Sequence, residues 1–283
     1  MRFARRVRFV LGRAVLVLLA VLALTWLGLY LDSIHQRRRA ERLISDLKSF
    51  PFASAGFVEV RELAIRHGGA PVQQFPNWQM PRYGPPAEWN GPVRRVTRAD
   101  SPPPDRRRQL LTPVLERGGP TCTVQDCAFE IWILPQPQRA AFRYRANFTV
   151  LLDILVNSGL HPWVVYSHFE IKGGKLKESR TATGHLRNAT LGDFKGQVSL
   201  EYEVYSTAHP EHDDPDYLVI APHVTGPPTE SLYTRFAQAS KAPRERAFDA
   251  NLRCFTIIWR GCSGLSELAP SAWADYQSEL AKH

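Results

Sequence analysis

From Ala14 to Leu31 the chain reads AVLVLLAVLALTWLGLYL, eighteen residues with no charge and with Thr25 as the one polar aliphatic position. At about 1.5 Å rise per residue the run spans about 27 Å, close to a hydrocarbon core of about 30 Å. This pattern predicts a transmembrane helix over 14–31. Trp26 and Tyr30 stand near its far end, where amphipathic rings favour the membrane–water interface, and they are the candidate membrane anchors. The run closes on Trp-Leu-Gly-Leu-Tyr-Leu with no pair of small residues for cleavage. An uncleaved signal-anchor is therefore expected, rather than a secretory signal that is removed.

Past the span the period becomes that of an amphipathic helix. Ala40, Leu43, Ile44 and Leu47 follow i, i+3, i+4, i+7 spacing up to Pro51. Ser54 is placed to cap a second helix over about 56–67, with Phe57, Val60, Leu63 and Ala64 on one face and Gly68-Gly69 as its stop. Residues 32–69 thus predict a helical hairpin. Residues 70–110 form a Pro-rich loop segment: nine prolines fall between positions 71 and 105, interleaved with Phe75, Trp78, Tyr83 and Trp89.

The body, 111–283, turns to strand patterning. Alternation predicts strands at Cys127–Leu134, at Trp163–Ile171 with a Gly173-Gly174 turn into Lys175–Gly184, and at Val198–Val204 with Glu201 and Glu203 facing outward. Further strands are expected at Tyr217–Val224 and Leu252–Trp259. Helices are expected at Phe148–Asn157, Ser231–Ala239 and Pro270–Ala281, the last with Pro270 at its first position and Trp273, Tyr276 and Leu280 on one face. The fold class is α+β: a transmembrane helix, a helical hairpin, then an antiparallel-sheet domain with flanking helices.

Charge refines the picture. The net +9 is uneven: residues 1–13 carry +5, residues 32–49 carry +2, and 50–283 carry the remaining +2. The body is nearly neutral, so no nucleic-acid face is expected. The five arginines before the span (Arg2, Arg5, Arg6, Arg8, Arg13) place the N-terminus in the cytoplasm and residues 32–283 outside it.

RAERLISDLKSFPFASAGFVEVRELAIRHGG, within residues 38–69, resembles the helical hairpin that opens the BamE/SmpA group of envelope proteins. It is similar also to hairpins of single-pass bacterial membrane proteins of unassigned activity. The resemblance rests on apolar spacing and implies a helical hairpin and a role in the cell envelope. Members of that group are short lipoproteins held by a cysteine, whereas this chain has a membrane span and a longer body.

Four cysteines form two local pairs, Cys122 with Cys127 and Cys254 with Cys262. Four intervening residues in the first pair and seven in the second fit neither a zinc knuckle nor a C-x-x-C redox pair. In an oxidising compartment they predict two local disulfides, each holding a turn.

Recognisable catalytic motifs are missing: no G-x-S-x-G, P-loop, H-E-x-x-H or G-x-G-x-x-G. The densest chemistry is HPEHDDPD, where His209, His212, Asp213, Asp214 and Asp216 are candidate metal ligands, the competing reading being a solvated acidic loop. His161 and His168 lie in or beside a strand, His168 outward with Tyr166 and Glu170. Ser263 in GCSGLS reads as part of a polar turn. Asn147 and Asn188 match the glycosylation pattern. No cofactor is expected. The expected partners are the lipid bilayer and another envelope protein. The reading is a membrane-anchored extracytoplasmic binding or envelope-assembly module. The alternative is a membrane-tethered hydrolase or metal-dependent enzyme with dispersed catalytic residues.

Overall fold

A computed structural model describes residues 2–72, 122–135, 158–186, 198–207, 216–220 and 230–281. Its longest element is one helix, α1 (Arg2–Ser49), about 72 Å long. Two environments meet along it. Every residue from 9 to 25 is exposed, in keeping with a segment long and apolar enough to cross a membrane. From Trp26 onward one side turns to protein, and Ser33, Gln36, Ala40, Leu43, Ile44 and Leu47 are buried at helical spacing.

Pro51 ends α1, and a tight turn through Ala55 leads to α2 (Phe57–Arg66). The cap of α2 is not Ser54, whose hydroxyl points back to the Pro51 carbonyl at 3.4 Å. Gly56 occupies that position, and Glu59 reaches back to accept its N–H at 2.9 Å. Asp46 on α1 binds both Arg66 (3.1 Å) and His67 (2.9 Å) at the end of α2. The buried side of α2 (Val60, Leu63, Ala64) lies against the sheet.

The sheet has seven strands: β1 (Ala70–Val72), β2 (Cys127–Ile133), β3 (Trp163–Lys172), β4 (Lys175–Leu186), β5 (Val198–Thr207), β6 (Tyr217–Ile220) and β7 (Glu230–Ala237). Their order is β1-β2-β3-β4-β5-β7-β6, and all neighbours are antiparallel except β5 and β7, which run parallel. Gly173 and Gly174 both have positive φ (59° and 75°), which the tight β3–β4 turn requires. β1 lies inside the segment expected to be loop. Pro71 is accepted because β1 is an edge strand, with only β2 beside it.

Two element assignments differ from expectation. Of the helix expected over Ser231–Ala239, residues 231–237 instead form strand β7 and 238–239 a turn: Leu232, Thr234 and Phe236 are buried in alternation. Residues 252–259 form no strand. They make a 3₁₀ helix (Leu252–Thr256) whose first turn is capped by the Asn251 side chain, followed by a turn that the Cys254–Cys262 pair closes. The C-terminal part adds α3 (Lys241–Ala247), α4 (Leu265–Leu268) and α5 (Pro270–Leu280). In α5, Trp273 and Tyr276 pack on the core while Leu280 stays half-exposed. The expected helix over 148–157 and the Pro-rich stretch past Val72 lie outside the described residues.

One core joins α1, α2, the inner sheet face and the C-terminal helices. Trp163 and Phe255 stack at 5.4 Å, and the Trp163 indole donates to Ser33 of α1 at 3.0 Å. Phe52 meets Phe236 edge-on at 5.3 Å. The C-terminal half of the long helix is thus part of the domain interior.

Candidate functional site

The side of the sheet away from α1 holds the densest polar chemistry among the described residues. Strand register lines up Glu130, His168, Arg180, Tyr205 and Arg235 across β2, β3, β4, β5 and β7. The neighbouring row is Trp132, Tyr166, Ala182, Glu203 and Tyr233, and Glu201 stands one further step along β5. Because side chains alternate along each strand, these positions share one face.

They form two hydrogen-bonded groups. In the first, Tyr166 donates to Glu130 Oε1 at 2.8 Å and Trp132 donates to Oε2 at 3.1 Å. His168 Nδ1 stands 3.7 Å from the same carboxylate. Burial pushes the Glu130 pKa upward, but the bonds from His168, Trp132 and Tyr166 outweigh it and the net direction is down. In the second group, the Arg180 guanidinium and the Tyr205 hydroxyl both donate to Glu203, which is 1% exposed. Arg180 also lies over the Tyr205 ring, 5.7 Å from its centre. Glu201 is pushed up to about 8, first by burial and then by the charge of Glu203 and a hydrogen bond to it. Glu201 thus holds its proton near neutral pH.

What this can do chemically is bounded by distance. The backbones of Glu130 and Glu203 are three strands apart, about 14 Å at the usual spacing. Glu201 and Glu203 are close enough to share a proton, but Arg180 and Tyr205 already occupy Glu203. The two groups neutralise charge within the sheet face.

The residues singled out from sequence fall elsewhere. Cys122 with Cys127 and Cys254 with Cys262 stand at disulfide distance, with Cα separations of 4.7 and 4.6 Å. Trp26 and Tyr30 stack at 5.5 Å, and the Trp26 indole donates to the Ser158 carbonyl at 3.2 Å. Of the candidate metal ligands, His209, His212, Asp213 and Asp214 lie outside the described residues, as do Asn147 and Asn188. Asp216 is exposed and accepts a 2.6 Å bond from Ser240. Among the described residues no group of three or more His, Cys, Asp or Glu side chains could hold a metal. Ser263 binds Glu267 through both its hydroxyl (2.8 Å) and its N–H (2.9 Å), as a turn residue does. His161 bonds the Trp259 backbone, and burial lowers its pKa.

His168 is not the solvated surface group its outward position suggested; it is three-quarters buried beside Glu130. Glu130, Arg180 and Tyr205 were not singled out from sequence. The available signal was the run Glu201-x-Glu203-x-Tyr205, with acids and an aromatic at one period-2 phase. Only the strand register joins that run to Arg180 and Glu130. Comparison with family models, with curated proteins and with solved structures finds no match.

Proposed function

We propose that the chain is a single-pass membrane protein whose sheet domain stands outside the cytoplasm and acts as a non-catalytic binding or envelope-assembly module. One observation carries this reading: a single unbroken helix is exposed at every position from 9 to 25, uncharged from Ala14 to Leu31, and built into the domain core over its C-terminal half. Such a helix has no hinge at the membrane surface, so it holds the domain at a set height and tilt. The two cysteine pairs at disulfide distance support an oxidising compartment. The hairpin-like spacing within 38–69 supports an envelope role.

A topology reporter fused after His283 tests the orientation: an export-dependent reporter is active and a cytoplasm-dependent one silent. Alkylation without reductant leaves all four cysteines unlabelled. A reporter active on the cytoplasmic side, or four labelled thiols, overturns the reading. Affinity purification of the intact protein from its membrane recovers an envelope protein in fixed ratio if the module assembles with one. A second reading, a membrane-tethered hydrolase, draws on the Glu201–Glu203 pair alone. It requires a hydrolytic activity that Glu201→Gln removes while the fold stays intact.

A further inference from the structure

The helix α1 meets the domain at Trp26, before its apolar run ends. Residues 9–25 are all exposed, Trp26 is the first that is not, and its indole is bonded to Ser158. The apolar run continues five residues further, to Leu31, about 7.5 Å along the axis. The part of the domain level with Trp26 therefore reaches a depth at which the helix still presents lipid-compatible side chains.

Two chain segments make that part. Gly159 follows Ser158 with φ +87°, and its carbonyl accepts the Trp259 N–H at 3.0 Å. A Cβ on Gly159 would lie 2.7 Å from the Trp259 ring, so glycine is needed for the ring to rest against the backbone. His161 bonds the Trp259 backbone as well. The second segment is the loop closed by Cys254 and Cys262, pinned to α1 by a 2.7 Å bond from Arg37 to Thr256.

This well-tethered loop presents an apolar tip. Trp259 is 69% exposed and Ile257 is 37% exposed. Trp259 is also the one non-glycine with positive φ among the described residues, at +68°. That conformation is costly for a bulky side chain and persists only where its surroundings impose it. The bonds with Gly159 and His161 hold the Trp259 backbone in place, yet most of the indole is left outside the core. An interfacial position beside the span accounts for that exposure, because indole rings partition to the headgroup region.

We propose that the Cys254–Cys262 loop is a second membrane contact, in which Ile257 and Trp259 enter the headgroup–acyl boundary of the bilayer that holds α1. This rests on reading α1 as a membrane span. A lone helix leaves the domain free to rotate about the helix axis; an off-axis contact at the same depth fixes which sheet face looks along the membrane.

The test uses the full chain in phosphatidylcholine–phosphatidylglycerol bilayers whose lipids carry bromines on the upper acyl positions. Difference emission between the parent and Trp259→Phe reports Trp259, and that between the parent and Trp26→Phe reports Trp26. Trp259→Tyr serves if phenylalanine perturbs the loop, with the melting midpoint as the check. The expected result is blue-shifted Trp259 emission, quenched by the brominated lipid about as strongly as that of Trp26. A water-like, unquenched Trp259 beside a quenched Trp26 overturns the loop contact and leaves the span standing. If neither is quenched, the span reading fails and the loop contact with it. If Trp259 alone is quenched, the span reading fails and the proposed contact with the bilayer that holds α1 is overturned with it.

Discussion

Glu203 keeps a carboxylate at 1% exposure because Arg180 and Tyr205 both donate to it. Removing one partner of a buried pair leaves the other charge uncompensated and costs about 3–5 kcal/mol. Arg180→Met should therefore lose about that much in denaturant melts, and adding Glu203→Gln should recover a large part. Equal melts for the single and double variants would show that the pair is not coupled. Glu201 gives a pH signature with the opposite sign to an ordinary carboxylate. Its folded pKa is raised to about 8 from the ordinary 4.5, so the folded state binds the extra proton between these values. Its stabilisation is complete below about 4.5 and disappears as pH rises through about 8. The melting midpoint of the parent should fall by a few degrees between about pH 5 and pH 9, each kcal/mol being worth about 2–4 °C at this size. Glu201→Gln, which mimics the neutral acid, should flatten that fall; an unchanged slope would assign the loss to other groups. Glu130, whose pKa is lowered, acts at the acid end and outside this window. The outward phase of Glu201 and Glu203 was legible from alternation. Their burial was not, because it depends on which strands lie beside β5.

At the scale of elements, period and context compete. The 3.6 period over Ala40–Leu47 and the alternation in β2, β3 and β5 were each long enough to identify the element from sequence. Ser231–Ala239 was not: its Leu232, Tyr233 and Phe236 also suit one helix face, and parallel pairing with β5 decides for a strand. Leu252–Trp259 is apolar enough for a strand, but residues 254 and 262 are joined and the chain must curl between them. Releasing that closure by Cys254→Ser with Cys262→Ser should lower stability by about 2 kcal/mol, from loop entropy alone. Within α1 the two halves should respond differently. Leu43 is 0% exposed and Leu22 is 56% exposed on the same helix. Leu43→Ala should cost about 2–5 kcal/mol of domain stability, as buried leucines do, while Leu22→Ala leaves the domain melt unchanged. A matching loss at both sites would mean that the helix is held along its whole length by protein.

Across the whole molecule, the arginines on the two sides of the apolar run differ in their surroundings. Arg2, Arg5, Arg6, Arg8 and Arg13 precede it without an acid among them. On the other side, Arg37 bonds Thr256 and pairs with Glu41, and Arg39 donates to Gln36 and the His67 carbonyl. The Arg37-Arg38-Arg39 run, which by charge alone opposes the expected orientation, thus supplies two side chains that fasten α1 to the domain. Sequence gives the charge of such a run, but only the packed helix shows which of its members are engaged. In the proposed topology, orientation on insertion is decided before these bonds exist, so it should follow the difference in positive charge across the apolar run. Replacing Arg2, Arg5, Arg6 and Arg8 by glutamine should remove most of that difference and yield a mixed population, read as partial protection of the domain from protease added outside the cell membrane. Neutralising Arg37 and Arg39 instead should leave orientation intact and lower the domain's melting midpoint. Should the N-terminal substitutions leave every molecule oriented as the parent, the arginine cluster is not the topological signal, and the folded domain must set direction by itself.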